Sequence, residues 1–287
     1  MDQDIRFCTT ADGVQIAYAT AGSGPPLVKA ANWLNHLEFD WQSPVWRHLL
    51  EGLAQDHLLV RYDERGNGLS DWHTADFSFN ALVADLEAVV DAAGLTRFAL
   101  LGISQGGGVA MEYAVRHPER VSHLILLGAY ARGWEHRGSP AAVEERRALI
   151  TLMKQSWGRD NPAFRQVFTS LYIPDATQEQ MAWFNDLQRV STTPANAVRL
   201  MATFGNIDVT ALLPRITAPA LVLHAKNEAV VPFEEGRLLA ARIAGARLVA
   251  LESRNHLLLP GEPAAEVFLR ETRRFLEIGR ASCRERV

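Results

Sequence analysis

The chain has few cysteines and no excess of basic residues, and each shortage excludes a class of protein. Cys8 and Cys283 are its two cysteines, and they lie at opposite ends without metal-ligand spacing. A disulfide framework or a zinc site is therefore unsupported. The net charge of −4, without a basic face or a series of base-stacking aromatics, argues against nucleic-acid binding.

Long apolar runs are also missing. No stretch reaches the roughly 18 apolar residues that a membrane-spanning helix needs. The first six residues, MDQDIR, are polar and acidic, whereas a secretory signal begins with basic residues and continues with an apolar segment. No repeat or low-complexity segment stands out. We therefore expect a cytoplasmic protein that binds neither membranes nor nucleic acids.

What the chain does contain is an alternation of short apolar runs with helical patterns. Its 287 residues are 48% apolar, enough for one large core. A hairpin is expected over 5–9 and 15–20, around the turn at 11–13. The short runs predict parallel strands, and the patterns between them predict helices on both faces of a mostly parallel central sheet, an α/β fold. The predicted strands are 27–30, 58–62, 98–101, 121–127, 220–224 and 247–251, and the predicted helices are 81–93, 107–116, 233–243 and 263–276.

A candidate nucleophile lies between one of these strands and the next helix. Residues 102–106 read GISQG, directly after the apolar run 98–101 and before the predicted helix 107–116. A serine between two glycines on such a sharp turn projects its hydroxyl from the sheet edge above a helix N-terminus. Ser104 is the candidate, although the motif alone is equally typical of a glycine-rich turn.

A serine hydroxyl needs a general base and the base needs an orienting acid, in the chain order Ser, acid, His. His256 follows the last predicted strand, and that position favours it as the base. The other eight histidines lack the setting and are left structural or unassigned: His36, His48, His57, His73, His117, His123, His136 and His224.

The acid is expected in the loop after the strand 220–224, where Glu228 is the one carboxylate before Pro232. A glutamate can accept a hydrogen bond from imidazole Nδ1 and stabilise the imidazolium. The alternative interpretation is a solvated loop charge beside Lys226. Glu252 and Asp208 are weaker candidates for the same role.

With these residues in place, the chain resembles the α/β-hydrolase family of cap-bearing serine hydrolases, over about residues 7–276. Residues 62–70, YDERGNGLS, look like the family's Y-D-x-R-G-x-G-x-S segment, and Asn255-His256 occupies the place of its G-x-x-H-like loop. Glu228 falls where the family usually has Asp. The closest resemblance is to bacterial hydrolases of the carboxylesterase type.

The loop after the third strand departs from the family pattern. Ala31-Asn32 stands where the family has a His-Gly pair that builds half of the oxyanion hole. A main-chain N–H does not depend on its own side chain, so the N–H groups of Trp33 and Gln105 are expected to serve. Asn32 tolerates left-handed backbone and brings an amide that could add a donor or fix the loop.

The interval 131–213 is too long for a bare connection and contains helical patterns broken by proline. We expect a helical cap over the carboxyl edge of the sheet, rich in aromatics that line a pocket or fill the cap's own core. The prolines are Pro140, Pro162, Pro174, Pro194 and Pro214, and the pocket candidates are Asn32, Trp134, Trp157, Phe168 and Trp183. The sequence shows no cluster of arginines for a phosphate or polyanion clamp, and the expected substrate is small and hydrophobic.

These expectations divide the chain into a core of 1–130 and 214–276, a cap of 131–213 and a tail of 277–287. The tail loses apolar periodicity and is expected to be non-native or disordered. From Glu277-Ile278 onward it resembles the translation of a sequencing adapter, which indicates a metagenomic clone.

The sequence thus predicts a serine hydrolase that needs no metal or cofactor and cleaves a carboxylic ester or lactone through an acyl-enzyme. Ser104, His256 and Glu228 form the expected triad. A C–C bond hydrolase and a cofactor-free haloperoxidase are alternatives with the same triad. A ligand receptor that kept a hydrolase fold is a third, because fold alone does not fix function.

Overall fold

The computed structural model describes residues 1–157 and 163–284, with side chains described as far as residue 277. Eight strands form one sheet in the order β1-β2-β4-β3-β5-β6-β7-β8. β1 and β2 form the predicted hairpin and β2 pairs antiparallel with β4, whereas all later pairs are parallel. The strands are β1 (Gln3–Thr9), β2 (Gln15–Ala21), β3 (Pro26–Lys29), β4 (Leu58–Tyr62), β5 (Phe98–Ile103), β6 (Val121–Leu127), β7 (Ala220–Ala225) and β8 (Arg247–Leu251).

Helices cover both faces of the sheet. Every residue of β5 and β7 is buried, as expected for parallel strands covered on both sides. On one face, α2 packs against α11; on the other, α3 packs against α4, and α10 lies against β7 and β8. These helices are α1 (Leu37–Trp41), α2 (Arg47–Ala54), α3 (Phe79–Ala92), α4 (Gly106–Arg116), α10 (Phe233–Arg242) and α11 (Pro263–Arg284). The predicted α/β class is confirmed.

The order of the strands locates the functional edge. The chain runs from β3 out to β4 and returns across β3 to β5, so the strand order reverses between β3 and β5. Ligands of open α/β sheets bind at the carboxyl ends of the strands, in the crevice at such a reversal. Trp33 follows β3 and Ser104 follows β5, which puts both at this crevice.

Five helices and a short 3-10 helix occupy the long interval between β6 and β7, as predicted. α6 packs against α7 and α9, and α7 against α8. Ser139 and Thr193 cap α6 and α9, each followed by a proline at the first helical turn, where a missing N–H costs nothing. Pro162 lies outside the described residues. The helices are α5 (Trp134–Arg137), α6 (Pro140–Ser156), α7 (Ala163–Tyr172), α8 (Gln178–Ser191) and α9 (Pro194–Gly205), followed by the 3-10 helix Thr210–Arg215.

Hydrogen bonds join these helices to the sheet domain. The Thr192 hydroxyl donates to the Gly66 carbonyl at 2.5 Å, and Gly68 N–H donates to the Ser191 carbonyl at 2.8 Å. On the opposite side, His256 N–H donates to the Tyr172 carbonyl at 2.8 Å. The helical segment is therefore fixed at both the 62–70 segment and the loop after β8. The exact limits 131–213 stay a prediction.

The last helix differs from its predicted end. α11 continues to Arg284, whereas the loss of apolar periodicity predicted an end at Leu276. Alanine, arginine and glutamate favour helix, and one glycine, Gly279, costs only about 1 kcal/mol, so local propensity is sufficient to keep the backbone helical. Residues 285–287 of the predicted tail lie outside the described residues. Within the described part of the chain, no helix is both long and apolar enough to span a bilayer.

Candidate active site

Ser104 occupies the sharp turn between β5 and α4 in a strained backbone conformation. Its φ of 53° lies in the left-handed region, and no other non-glycine residue of the described chain has a positive φ. Strain of this kind costs about 1–3 kcal/mol and clusters at functional sites. Ser104 N–H donates to the Leu127 carbonyl at 3.1 Å, and the Ser104 carbonyl accepts from Gly107 N–H at 3.0 Å. The turn is thus held from both sides.

The two glycines of the motif permit this turn by leaving room for backbone. A Cβ on Gly102 would lie 2.6 Å from the Cα of Gly107, so the strand and the helix start touch directly. A Cβ on Gly106 would lie 2.4 Å from the carbonyl oxygen of Ala31. The second contact brings the loop after β3 against the start of α4, where Ser104 lies.

His256 lies in the loop after β8, beside the Ser104 turn. Gly128, next to the Leu127 carbonyl that holds Ser104, faces the imidazole: a Cβ there would lie 3.3 Å from His256 Cε1. The ring packs edge-on against Tyr172 at 5.4 Å between centroids. Its Nδ1 lies 2.6 Å from Glu228 Oε2. Its Nε2 is buried and has no hydrogen-bond partner among the described residues, so it is free to bond a hydroxyl or a substrate atom.

Glu228 lies in the loop after β7 and faces His256. Its Oε2 also accepts a hydrogen bond from Val231 N–H at 3.0 Å. Burial raises the pKa of this carboxyl, but His256 and the contact with His224 outweigh it and lower the pKa to about 2. The two weaker candidates are engaged elsewhere: Glu252 pairs with Lys226 at the surface, and Asp208 accepts from Thr210 N–H at 3.0 Å.

His224, which the sequence left without a role, is in contact with Glu228. Its Nε2 donates to the Val231 carbonyl at 3.0 Å and lies 3.2 Å from Glu228 Oε1. The residue is fully buried at the end of β7. Glu228 is therefore enclosed by two imidazoles, one on each carboxylate oxygen. The sequence carries no local signal for this contact, because it depends on how the loop after β7 folds back on the strand.

The two residues predicted to supply the oxyanion hole lie beside Ser104. Trp33 and Gln105 border the same cavity as Ser104. Neither N–H donates to another group within the described residues. Because Gly106 touches Ala31, the two loops lie side by side, which is the arrangement an oxyanion hole requires.

Asn32 stabilises the loop after β3 through hydrogen bonds of its side chain. Its Oδ1 accepts a hydrogen bond from Lys29 Nζ, and its Nδ2 donates to the Trp33 carbonyl at 3.3 Å. Asn35 Nδ2 donates to the Asn32 carbonyl at 3.0 Å, while Asn35 Oδ1 accepts from Glu64 N–H at 3.2 Å. Burial lowers the pKa of Lys29 to about 8. Asn32 is therefore a loop tether, and its predicted place on the pocket wall is not observed.

Side chains of the 62–70 segment hold the neighbouring loops in place through buried hydrogen bonds and ion pairs. Asp63 Oδ2 accepts from the N–H groups of Leu37 and Leu69 at 3.1 and 2.9 Å. Arg65, fully buried, pairs with Asp85 and Asp12, each at 2.7 Å. Gly68 leaves no room for a side chain, because a Cβ there would meet the Asp63 carboxylate. The segment thus has a structural role beneath the site.

The cavity that contains Ser104 is narrow, about 30 Å³, and five aromatic side chains contribute to its lining. Of the predicted pocket residues in the helical insertion, Trp134 lines it. Trp157 and Phe168 form a second layer instead: Trp157 packs on Trp33 at 5.4 Å, and Phe168 packs on Trp157 at 6.1 Å. Trp183 stacks on Phe39 at 4.9 Å, outside this lining. The aromatic lining comprises Trp33, Tyr130, Trp134, Tyr172 and Phe204.

Two arginines also line this cavity, which corrects the expectation that no cluster of arginines faces the site. Arg137 lies at the end of α5 and Arg146 lies on α6. The two are nine residues apart in a segment rich in exposed charges, so their convergence depends on how α5 and α6 pack. A larger, open groove of about 580 Å³ follows the loop 252–263 and includes none of Ser104, His256 and Glu228.

No group of three or more histidine, cysteine, aspartate or glutamate side chains in the described ranges is placed to hold a metal ion. The site therefore consists of a strained serine, a buried imidazole-carboxylate pair and free main-chain N–H groups. Such an arrangement is suited to nucleophilic attack on a carbonyl carbon.

Comparison with known proteins agrees with the fold. The family model for the alpha/beta hydrolase fold matches residues 40–263. The chain belongs to the α/β-hydrolase family. This confirms the resemblance found in the sequence.

Individual relatives within the family have different activities. The chain is 30% identical over 241 residues to the protein named "Putative carbamate hydrolase RutD" of Azorhizobium caulinodans, covering 82% of this chain and 85% of that one. It is 27% identical over 241 residues to the pimeloyl-[acyl-carrier protein] methyl ester esterase of Nitrosomonas europaea, covering 83% and 90%. Among solved structures, the esterase EaEST of Exiguobacterium antarcticum superposes with a TM-score of 0.78 at 27% identity, covering 94% and 98%. The α/β hydrolase therefore has esterase relatives.

Proposed function

We propose that this α/β hydrolase is a serine esterase that cleaves a carboxylic ester or lactone through an acyl-enzyme. The observation that carries the proposal is the buried contact of 2.6 Å between His256 Nδ1 and Glu228 Oε2, beside the strained Ser104. An imidazole held in this way presents its other nitrogen as a base. The esterase relatives support the choice of an ester.

The first half of the reaction acylates the enzyme. Ser104 Oγ attacks the carbonyl carbon while His256 Nε2 takes the hydroxyl proton. Glu228, ionised because of its lowered pKa, stabilises the imidazolium and holds its orientation. The N–H groups of Trp33 and Gln105 bind the oxyanion. The carbon–oxygen bond to the alcohol then breaks, and the alcohol leaves with the proton from His256.

The second half releases the acid. A water molecule transfers a proton to His256 Nε2 and attacks the acyl carbon, and collapse of the intermediate returns the proton to Ser104 Oγ. The aromatic lining of the Ser104 cavity favours an apolar part of the substrate next to the reacting carbonyl.

The proposal is tested with p-nitrophenyl acetate, butyrate and octanoate, together with phenyl carbamate. We expect repeated turnover of at least one ester, and Ser104→Ala should lower kcat by about 10³ or more. Ser170→Ala, an exposed serine on α7, is the matched control and should keep the activity. Faster turnover of the carbamate than of every ester, or full activity in Ser104→Ala, would contradict the assignment.

A further inference from the structure

A second, wider cleft adjoins the Ser104 cavity. It has a volume of about 200 Å³ and shares four lining residues with that cavity: Trp134, Arg137, Arg146 and Val230. The side chains of both arginines therefore border the narrow cavity at Ser104 and the wider cleft. A ligand that reaches from the reacting carbonyl into the cleft passes these guanidinium groups.

These two arginines differ from their neighbours in forming no direct ion pair, although the carboxylates of Glu235 and Glu228 act on Arg137 through space. Arg132, close by, pairs with Glu235 at 2.5 Å, and Arg147 pairs with Glu135 at 2.9 Å. In contrast, neither Arg137 nor Arg146 forms an ion pair within the described part of the chain. The carboxylate on the described cleft wall is that of Glu145, which is exposed. Arg146 thus forms no ion pair within the described residues, whereas the charge of Arg137 is partly offset by Glu235 and Glu228.

The two arginines differ in how firmly they are held. Arg137 donates to the carbonyls of Arg132 and Val230 at 3.0 and 3.1 Å, and its guanidinium lies 4.4 Å from the centre of the Tyr130 ring. These contacts hold the Arg137 side chain in place as part of the cleft wall. Arg146 is half-buried and makes no hydrogen bond to another described residue, so all its donors are available.

Arg146 is also electrostatically coupled to the catalytic end of the cavity. Burial raises the pKa of Tyr172, and the nearby charge of Arg146 opposes this rise. Tyr172 in turn packs on His256 at 5.4 Å. A half-buried cation without a partner, at this place, is suited to a negatively charged group of the substrate.

We propose that the ester is anionic: one of its two parts ends in a carboxylate, which Arg146 binds in the cleft while Arg137 contributes positive charge. This inference rests on the proposed esterase function. It modifies the expectation of a purely hydrophobic substrate, because the aromatic wall then contacts the apolar chain between the ester and the carboxylate. Arg146 is a specificity-determining residue in this proposal.

The test compares matched esters with and without the charge. Monomethyl adipate against methyl hexanoate places the carboxylate on the acyl side, and 4-acetoxybutyrate against butyl acetate places it on the alcohol side. For one of these pairs, the wild-type kcat/KM should favour the anionic ester. Arg146→Gln should lower the ratio of anionic to neutral kcat/KM by about 10- to 100-fold, the usual weight of a charged hydrogen bond.

Arg147→Gln provides the control, since it removes the next arginine of α6, which is exposed and lies outside both cavities. It should leave the ratio unchanged. A neutral ester preferred in both pairs, or an Arg146→Gln ratio equal to that of the wild type, would overturn the proposal.

Binding separates a failure of this inference from a failure of the esterase assignment. Calorimetry of monomethyl adipate and of 4-acetoxybutyrate with Ser104→Ala should detect binding of the preferred ester that is lost when Arg146→Gln is added and kept when Arg147→Gln is added. Binding without any turnover by the wild type would refute the esterase and keep the anion site. Turnover of neutral esters without such binding would refute the anion site and keep the esterase.

Discussion

Two single residues of the site are held in states that are unfavourable without their surroundings. Ser104 has a left-handed φ of 53°, and Glu228 stays charged although it is buried. A buried carboxylate without partners would be protonated. The contacts with His256, Val231 N–H and His224 reverse this, so the negative charge of Glu228 is tied to the imidazole it faces.

Removal of that charge should therefore affect catalysis more than folding. Glu228→Gln should lower kcat by roughly 10² to 10⁴, because an amide does not stabilise imidazolium and can hold the wrong tautomer. Glu228→Asp keeps the charge and should lose less. Steady-state kinetics with the best p-nitrophenyl ester measure both. Near-wild-type activity of Glu228→Gln would show that another group orients His256.

These three residues could be predicted from the sequence because each occupies a recognisable position in the loop that follows a strand. Ser104 and His256 each follow a strand, and Glu228 is the single acid of its loop. His224 was missed for a physical reason. A histidine inside a buried strand has no local sign that its Nε2 turns toward a loop four residues later, because that contact depends on how the loop folds back.

At the scale of elements, the loop after β4 contains buried acidic side chains. Asp63 and Glu64 follow β4 directly and are both buried. Burial, with Asp85 nearby, raises the pKa of Glu64 from 4.5 to about 8. Between these pH values, the folded protein keeps a proton on Glu64 that the unfolded chain has lost. Stability must then fall as pH rises through this window.

Glu64→Gln should remove this dependence. The free energy of unfolding of the wild type should fall relative to that of the variant between pH 5 and 8, by at most about 1.4 kcal/mol per pH unit. Urea unfolding at pH 5, 6.5 and 8 measures the difference, and Glu144→Gln, at an exposed position, is the control. A wild-type slope that Glu64→Gln leaves unchanged would refute the buried protonated state.

The strands were predictable from short apolar runs, and their bounds agree with the structure to within a few residues. The end of α11 was not predictable, because the helix continues to Arg284 past the last residue of the apolar periodicity. Residues 62–70 were recognised in the sequence as a motif, but their structural role could not be predicted. Which groups Asp63 and Arg65 bind depends on loops that are distant in sequence.

For the whole molecule, we expect the packing of α5–α9 to determine which substrates the Ser104 cavity accepts, because this segment supplies part of the cavity lining. The sequence predicted a helical cap with aromatics, but it could not rank them. Trp134, at the start of α5, lines the cavity, whereas Trp183 stacks on Phe39. Both are half-buried tryptophans in the helical segment. The difference arises from helix packing, which periodicity within one helix does not specify. The same packing brings Arg137 and Arg146 together.

This pair of tryptophans tests the role of the helical segment. Trp134→Ala should change the ratio of kcat/KM between p-nitrophenyl octanoate and acetate by about 10-fold or more, since it removes a wall of the cavity. Trp183→Ala should leave the ratio within about twofold of the wild type. Thermal unfolding confirms that both variants are folded. Equal ratios in Trp134→Ala and the wild type would show that this cavity does not determine the preference between the two esters.

The most direct measurement of the central claim, a Ser104 nucleophile activated by His256 and Glu228, is mass spectrometry after reaction with a p-nitrophenyl alkylphosphonate. Ser104 Oγ bonds to phosphorus and p-nitrophenolate leaves. We predict one adduct per chain, on the peptide that contains Ser104, with none in Ser104→Ala and much slower labelling in His256→Ala. An adduct on any other residue, or the same labelling in Ser104→Ala, would contradict the account.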